Sequence, residues 1–381
     1  MDYKRLGDYI REVNVRNKDL KVTNLEGVSI SKQFIPSIAN TIGTDMSTYK
    51  VVNPGQFAYG PVTSRNGDKV SIALYKGDRD AIISQAYTVF EVVDSEKMSS
   101  EYLMMWFQRP EFDRYARFHS HGSAREIFDW DELCGVYLPL PDIDRQREIV
   151  EEYETLSRRI RLNEQMIEKL EATAQALYRK MFVDGIDKEN LPEGWRMAEL
   201  GTLVDIKRGA SPRPIDQYMA TEGLPWLKIS DATNAKSPFI FEVKEFIKEE
   251  GLSHTVYRHV GDLVLSNSAS PGLPKFLEID SCIHDGWLYF DNSTIPLTFL
   301  YLTFQYIRKD LVAEGNGAVF INLKTDILKK WTIILPERVS LDTFCDCVNT
   351  LFSLMKTTAL ENSKLSELQS LLLAKMGNLK Q

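Results

Sequence analysis

The sequence has few cysteines, no long apolar run and no recognisable zinc motif. The cysteines are Cys134, Cys282, Cys345 and Cys347, and none has a Cys-x-x-Cys partner or a histidine at zinc-ligand spacing. We therefore expect free thiols and no bound metal. No apolar run reaches the roughly 20 residues of a membrane span, and no apolar signal segment follows Met1. These absences predict a cytoplasmic protein.

The sequence also lacks an excess of positive charge. The formal net charge is −8, whereas a nucleic-acid-binding protein is expected to carry a basic surface. No large segment of the chain is basic overall. Three interpretations stay open: DNA is not the partner, a local basic surface is hidden in the average, or another subunit supplies much of the phosphate contact.

Motifs of catalysis are missing as well. The chain has no Gly-rich phosphate loop and no Asn-Pro-Pro-aromatic tetrad of the kind that methylates flipped bases. Its lone Asn53-Pro54-Gly55 is typical of a turn. We therefore predict that the chain is not an enzyme and binds no cofactor itself.

What the sequence does contain is an internal repeat. Every position from Gly122 to Met181 has a counterpart 195 residues later, and the starts of the two copies also agree. Between these anchors the copies share almost nothing, which indicates one scaffold with two divergent interiors. Matching pairs include Leu6-Gly7 with Leu200-Gly201, Asp131 with Asp326, Pro141 with Pro336, and Lys180-Met181 with Lys375-Met376.

The repeat divides the chain into two α+β domains and two long helices. Residues 1–141 and 195–336 mix short alternating strands, such as Lys69–Tyr75, with helical patches such as Ser99–Phe107 and Pro296–Phe304. Residues 142–182 and 337–381 are predicted to be long helices without proline, and residues 183–194 connect the first helix to the second domain.

Each helix carries an apolar seam whose residues recur at alternating spacings of four and three, the pattern of a coiled coil. Two like seams in one chain most simply pair with each other, and we predict an antiparallel pair with a pseudo-twofold relation between the domains. Polar seam positions either fix the register or face another subunit. The predicted seam includes Leu156, Ile160, Asn163, Ile167, Leu170, Leu177, Leu351, Met355, Asn362, Leu365 and Leu372.

Two similar domains on a rigid spacer suit a linear ligand with two separated sites, such as double-stranded DNA with two half-sites. In this architecture the divergent interiors would read half-sites of different sequence.

The order of motifs resembles the specificity subunits of Type I restriction–modification systems over essentially the whole chain. In that family a target recognition domain and a conserved helix occur twice. Where many relatives have an Asn/Ser-Gln signal, this chain has His284-Asp285-Gly286-Trp287 in the second domain, and the first domain lacks the Pro-Trp block. The motifs that carry the resemblance are Leu191-Pro192-Glu193-Gly194-Trp195, Gly209-Ala210-Ser211-Pro212, Pro225-Trp226-Leu227-Lys228-Ile229-Ser230-Asp231, Gly261-Asp262-Leu263-Val264-Leu265-Ser266 and Pro54-Gly55-Gln56-Phe57-Ala58-Tyr59.

The resemblance implies a function that the residues alone do not name. Such a subunit reads a bipartite, asymmetric DNA site and recruits two modification subunits, which use S-adenosylmethionine to methylate adenine. Restriction subunits, which use ATP and magnesium, can join the complex. The outward polar residues Arg158, Arg159, Arg161 and Glu164 are then either a solvated face or a docking surface for the modification subunits.

Base readout needs polar side chains on exposed loops. For each such residue the alternative is an ordinary surface charge or turn, and for His119 and His121 we expect no metal. The residues predicted to bind DNA are Lys32, Gln33, Thr63, Ser64, Arg65, Asn66, His119, His121, Ser123 and Arg125 in the first domain, and Lys207, Arg208, Arg213, Lys228, Ser230, Ser266, Asn267, Ser268, Ser270, Lys275, Asn316 and Asn322 in the second.

A second class of function also fits the architecture. Two recognition domains on a coiled coil would serve as a protein-interaction scaffold without DNA specificity, and the acidic balance favours this alternative. Salt-dependent DNA binding distinguishes the two, because phosphate contacts release counterions.

Overall fold

The computed structural model describes residues 3–37, 43–64, 67, 69–122, 125–314 and 323–377. The chain divides into two compact units. The first unit comprises Met1–Arg158 and Ser366–Gln381, and the second comprises Arg159–Leu365. The boundary between them falls inside both long helices, so that each unit contains one globular domain and a part of each helix.

The domain of the first unit is built from short strands followed by short helices. Its elements in chain order are β1 (Tyr3–Arg5), β2 (Ile10–Val13), β3 (Glu26–Val28), β4 (Phe34–Pro36), β5 (Lys50–Val52), β6 (Phe57–Tyr59), β7 (Ile72–Leu74), β8 (Ala81–Ile83), β9 (Thr88–Val92), α1 (Ser100–Gln108), α2 (Pro110–Phe118), α3 (Trp130–Cys134), β10 (Tyr137–Pro139) and the long helix α4 (Ile143–Phe182).

The central sheet of the first unit has the order β2-β9-β6-β7, and its neighbours are antiparallel. Alternate residues of β6 face two different cores, because side chains alternate along a strand. Phe57 and Tyr59 pack towards α1 and α2, whereas Ala58 joins Val52 and Ile83 in a smaller core on the other face. The sheet is therefore buried on both faces.

The second unit repeats this plan with longer insertions. Its further elements are β11 (Arg196–Glu199), β12 (Asp205–Arg208), β13 (Met219–Ala220), β14 (Leu224–Leu227), α5 (Ile229–Asn234), β15 (Phe239–Ile240), β16 (Glu245–Ile247), β17 (Val256–Arg258), β18 (Leu263–Ser266), β19 (Pro274–Leu277), β20 (Ser281–Ile283), β21 (Trp287–Asp291), α6 (Leu297–Glu314), α7 (Thr325–Lys330), β22 (Thr332–Leu335) and the long helix α8 (Arg338–Met376).

Two five-stranded sheets form most of the domain of the second unit, in the orders β12-β21-β18-β19-β15 and β13-β16-β14-β20-β17. In β18, Leu263 and Leu265 face the main core, while Val264 faces a smaller core that contains Trp287. The two-faced central sheet of the first unit thus recurs here.

The entrance and exit of each domain are also alike. β1 pairs antiparallel with β10, and β11 pairs antiparallel with β22. A Leu-Gly step follows each entry strand. A Cβ atom on Gly7 would lie 2.8 Å from the Cβ of Cys134, and one on Gly201 would lie 3.0 Å from the Cβ of Lys329. Only glycine lets the backbone approach α3 and α7 this closely, which accounts for the repeated glycine.

The long helices α4 and α8 are antiparallel within each unit. In the second unit, Asn362 Nδ2 donates to the carbonyl of Ile160 (3.2 Å), while Phe344 near the start of α8 stacks edge-on against Phe182 at the end of α4 (4.9 Å). In the first unit, Gln369 Nε2 donates to Ser157 Oγ (2.7 Å). The predicted α+β fold with an antiparallel helix pair is confirmed.

The predicted seam residues are all buried or half-buried. Near the end of α4 the buried face widens to include Tyr178 and Phe182, which pack against the α6 residue Phe299. The widening has a simple cause: here the helix contacts the domain as well as the other helix. None of the helices in the described ranges combines the length and the apolar character that a membrane span requires.

Candidate nucleic-acid interface

Loops that follow neighbouring strands of the second unit meet at one place. The turn after β12, the segment between β14 and α5, the loop after β18 and the short link between β20 and β21 all contribute to it. Their convergence follows from strand pairing: Arg208 lies opposite Leu288, Ser266 opposite Trp287, and Leu227 opposite Ile283. The sheets thereby bring together loops that are far apart in sequence.

The turn after β12 depends on Gly209. A Cβ atom there would lie 2.3 Å from the carbonyl oxygen of His284, so any larger residue would push the two loops apart. The backbone of Gly209 donates to the carbonyl of Trp287 (2.9 Å) and fixes the turn against the β20–β21 link. The first Gly of the Gly-x-Ser-Pro motif is thus required by a close backbone approach.

Asp285 connects the converging loops. Its Oδ1 accepts a hydrogen bond from the Ser211 hydroxyl (2.8 Å), and its Oδ2 lies 3.4 Å from Arg213 Nη2. Its backbone carbonyl accepts from Arg208 Nε (2.5 Å) and from Asn267 Nδ2 (3.2 Å). Burial acts to raise the pKa of Asp285, but the Ser211 hydroxyl and the Arg208 guanidinium outweigh it and hold that pKa below its ordinary value. Asp285 is therefore an anion at neutral pH.

His284 beside it is mostly buried and neutral. Burial, together with the nearby charges of Lys228 and Arg208, lowers its pKa. Its Nδ1 accepts a hydrogen bond from the backbone N–H of Gly286 (2.8 Å), so the proton of the neutral ring lies on Nε2. The ring thus has one fixed tautomer, with Nε2 as a donor.

These loops surround an open pocket of about 1000 Å³. Its apolar lining includes Trp226, Ile229 and Pro212, and its polar lining comes from residues able to donate or accept hydrogen bonds. Base edges present both hydrogen-bonding groups and the thymine methyl group. The polar side chains that line the pocket are Ser211, Arg213, Asp216, Lys228, Ser230, Ser268 and His284.

The structure brings together many, but not all, of the residues predicted for this domain. Arg213, Lys228, Ser230 and Ser268 line the pocket. Arg208 is not among the lining residues, and its Nε donates to the backbone carbonyl of Asp285. Lys228 is also ion-paired with Glu245 (2.5 Å) in a half-exposed position.

Lys207 points away from Arg208, as neighbours on a strand do. Its ammonium is 3.0 Å from Asp291 Oδ2, and the Lys207 side chain stays half-exposed. Lys207 is thus separated from the Asp285 network although it precedes Arg208 in sequence.

Other predicted residues of this domain are turned inwards. Ser266 is fully buried and bridges its own loop, since it donates to the carbonyl of Ser270 (2.5 Å) and accepts from the backbone N–H of Leu273 (2.9 Å). Asn267 is also buried, and Ser270 Oγ accepts from Arg308 Nη2 (2.9 Å). These side chains shape the loop and do not present their polar groups to a ligand.

Lys275 is buried between strands and donates to the carbonyls of Ala235 (3.1 Å) and Ser237. Burial lowers the pKa of its ammonium to about 8. Lys275 is therefore a core residue of the domain, and we do not include it in the interface.

In the first unit, three segments form one polar surface. Thr63 Oγ1 donates to Ser120 Oγ (3.0 Å), and the backbone of Ile127 pairs with both Val62 and His121. Ser64, His121 and Arg125 are exposed on this surface. These segments are far apart in sequence, and the β-bridges that Ile127 forms with Val62 and His121 bring them together.

The two histidines of this surface share one carboxylate. His119 Nδ1 lies 2.9 Å from Glu132 Oε2, and His121 Nε2 lies 3.9 Å from Glu132 Oε1. The His119 ring also stacks on Tyr115, with centroids 4.2 Å apart. Within the described ranges, no group of three or more His, Cys, Asp or Glu side chains is arranged to hold a metal ion.

The remaining predictions for this domain differ in their outcome. Gln33 is exposed in the turn between β3 and β4, whereas the Thr63 side chain is buried. Lys32 in the same turn points into the domain: its ammonium lies 2.8 Å from Asp113 Oδ1, and burial lowers its pKa. Lys32 is therefore not part of the interface, because its ammonium is buried and ion-paired with Asp113. Arg65, Asn66, Ser123, Asn316 and Asn322 lie outside the described residues.

Sequence reasoning missed several residues of these surfaces. Phe118 at the end of α2 is 80% exposed beside His119, and the aromatic residue in an otherwise polar stretch was the available signal. His284 and Asp285 occur where the motif departs from its usual form, and that departure was their signal. No sequence pattern indicated that Asp285 joins three loops, because this depends on strand pairing.

Comparisons with known proteins agree with this architecture. Residues 192–370 match the family model described as Type I restriction modification DNA specificity domain. The chain is 22% identical to the Type I restriction enzyme HindI specificity subunit of Haemophilus influenzae, with 98% of each chain covered. It is 20% identical to the Type I restriction enzyme MjaIX specificity subunit of Methanocaldococcus jannaschii, over 75% of this chain and 70% of that one.

A solved structure shares the fold. The Type I restriction-modification system S subunit from M. genitalium has a TM-score of 0.56 and 13% sequence identity, with 100% of this chain and 96% of that chain covered. Residues 192–370 therefore form a Type I restriction modification DNA specificity domain, and the family relationship predicted from the motifs is confirmed.

Proposed function

We propose that this chain is the DNA specificity subunit of a Type I restriction–modification complex and reads one half of a bipartite site with each domain. The observation that carries the proposal is the convergence of Ser211, Arg213, Lys228 and His284 around one pocket in the domain that matches the specificity family. Such side chains recognise base edges.

The first domain supports the proposal that each domain reads one half-site. It repeats the entry strand, exit strand and two-faced sheet of the second domain but carries a different polar surface, with Ser64, His121 and Arg125 exposed. Equivalent scaffolds with different surfaces suit an asymmetric site, because each surface selects its own bases.

The catalytic steps belong, in this proposal, to partner subunits. Two modification subunits would bind S-adenosylmethionine and methylate adenine, and restriction subunits with ATP and magnesium would cleave. The exposed polar faces of α4 and α8 are the surfaces proposed to dock the modification subunits. The acidic charge of this chain fits such a division, because partners would then supply much of the phosphate contact.

Co-expression with Type I modification subunits tests the proposal. We expect methylated adenines at one bipartite, asymmetric sequence across the host genome, and none when this chain is omitted. Sequencing that detects methylated adenine provides the measurement. Methylation at no defined sequence would contradict the assignment.

The alternative is a two-headed protein-interaction scaffold, which the net charge of −8 favours. DNA affinity of the assembled complex at increasing salt separates the two functions. A specificity subunit should give a log affinity that falls linearly with log salt concentration, whereas a scaffold should show no sequence-dependent binding at any salt concentration.

A further inference from the structure

Asp285 holds the polar side chains around the second-unit pocket in one arrangement. Both of its carboxylate oxygens are engaged, Oδ1 by Ser211 and Oδ2 by Arg213, while its backbone carbonyl accepts from Arg208 and Asn267. These contacts join the turn after β12, the loop after β18 and the link before β21. A single residue thus sets the relative positions of three loops.

The side chains of Arg208 and Arg213 are more exposed to solvent than that of Asp285. The Arg213 side chain is 82% exposed and that of Arg208 is 51% exposed, whereas Asp285 is more enclosed at 39%. A guanidinium has five N–H donors in one plane. When a carboxylate or carbonyl binds one edge of the guanidinium, another edge remains available to a ligand. Because the group is planar, the bound edge also fixes the direction in which the free edge points.

The chemistry of that free edge points to guanine. Two parallel N–H donors of arginine match the O6 and N7 acceptors that guanine presents in the major groove. An exposed arginine without a partner would lose side-chain entropy on binding. A pre-positioned arginine loses less, which improves both affinity and discrimination.

We propose that Asp285 is a positioning residue that orients Arg213 and Arg208 so that Arg213 reads a guanine in the half-site bound by the second domain. The proposal rests on the proposed function of the chain as a DNA specificity subunit. Asp285 itself touches no base in this arrangement, because its oxygens face Ser211 and the arginines.

The test uses the complete complex with its modification subunits. A plasmid library in which each position of both half-sites is randomised is methylated, and the preference at each position is read by sequencing. We expect Asp285→Asn and Arg213→Ala each to lose at least about ten-fold of the preference for guanine at one shared position, the size of a bidentate base contact. Preferences in the other half-site should stay unchanged.

A double variant separates positioning from independent contacts. If Asp285 acts through Arg213, the Asp285→Asn/Arg213→Ala variant loses no more preference than either single variant. Additive losses, or a change in Asp285→Asn with none in Arg213→Ala, would overturn the proposal, since Asp285 would then read the base itself. Asp285→Glu keeps the carboxylate and should restore part of the preference.

Asp280→Asn is the matched control. Asp280 is a similarly exposed carboxylate of the same domain that accepts from the backbone of Val260 and lies 3.6 Å from His259 Nδ1, and it does not line the pocket. Its substitution should leave all base preferences unchanged. Arg213→Ala alters a side chain that is 82% exposed, so its effect does not depend on folding.

The outcomes distinguish this proposal from the proposed function. A wild-type complex that methylates no defined sequence contradicts the function itself. A wild-type complex with a bipartite site whose preferences survive both Asp285→Asn and Arg213→Ala contradicts only the role of Asp285.

Discussion

Lys32 and Lys275 were both expected at the DNA surface, yet both ammonium groups are buried. Lys32 lies between the polar residues Ser31 and Gln33, and Lys275 lies between Pro274 and Phe276. An exposed lysine is the usual outcome at either kind of position. Lys32 instead reaches Asp113, and Lys275 reaches the carbonyls of Ala235 and Ser237. These partners are far away in sequence, so only the tertiary fold reveals that the lysines are internal.

The depressed pKa of Lys275 makes the stability of the second unit depend on pH. The folded chain binds this proton with a pKa of about 8, compared with 10.5 for an unperturbed lysine. The unfolded state therefore holds more protons above pH 8, and stability rises with pH in this window. The cost of burying the ammonium is fully present below pH 8 and disappears as the pH approaches 10.5.

We predict that, between pH 8 and pH 9.5, the free energy of unfolding of the wild-type protein rises by about 1.5 kcal/mol relative to that of Lys275→Met. Urea unfolding of both proteins at the two pH values measures the difference. Lys248→Met is the control, because Lys248 also donates to a backbone carbonyl (Gln217, 2.7 Å) but is exposed. An equal gain for that control would show that burial of Lys275 is not the cause.

Among the elements, the long helices were the most predictable. Their seams follow a heptad pattern over many turns, and a periodicity of this length predicts a long helix without knowledge of the tertiary structure. The domain interiors were less predictable, because their strands are mostly three to five residues long and depend on long-range partners. The helical patches at Ser99–Phe107 and Pro296–Phe304 correspond closely to α1 (Ser100–Gln108) and the start of α6 (Leu297–Glu314).

Polar residues in the seam give the helix pair a testable property. Asn163 is buried and donates from Nδ2 to Asn362 Oδ1 (2.9 Å). Replacing only Asn163 removes the hydrogen bond that the Oδ1 of Asn362 accepts from it and places an apolar side chain against this amide. We predict that Asn163→Leu lowers the free energy of unfolding by about 1–3 kcal/mol and that adding Asn362→Leu recovers at least this loss.

Chemical denaturation of the single and double variants measures both effects. Thr357→Leu, at an exposed position of α8, is the control and should change stability by no more than about 0.5 kcal/mol. If the two leucine substitutions were simply additive and both unfavourable, the asparagine pair would not be coupled.

At the scale of the whole molecule, the sequence repeat predicted that one fold occurs twice. The structure shows which elements are repeated. The entry strands, exit strands, Leu-Gly steps and long helices recur, whereas the first domain lacks the Pro-Trp block that supplies Trp226 and Lys228 to the pocket of the second. The arrangement of the candidate base-contacting residues could not be predicted, since it depends on loops that strand pairing brings together.

We propose that the paired helices set the spacer between the half-sites, and paired insertions test this role directly. Because the helices are antiparallel, a seven-residue insertion after Arg158 must be matched by one after Leu365 to keep the seam in register. Seven residues add about 10.5 Å to each helix, which corresponds to roughly three base pairs. We predict a methylated site whose spacer is longer by about that amount.

Genome-wide mapping of methylated adenine reports the new spacer directly. A seven-residue insertion into the connector 183–194 provides the control and should leave the spacer unchanged. An unchanged spacer after the paired helix insertions would contradict the role of the helices as a ruler.

The pairing of β1 with β10 and of β11 with β22 has a further consequence for inheritance. Each domain begins and ends on adjacent antiparallel strands, so the two ends of its coding segment correspond to neighbouring points of the protein. Genetic recombination at those two points would replace an entire reading surface and leave both long helices intact. A lineage could thereby acquire a new DNA target in a single recombination event with two crossovers, without stepwise changes in individual contact residues.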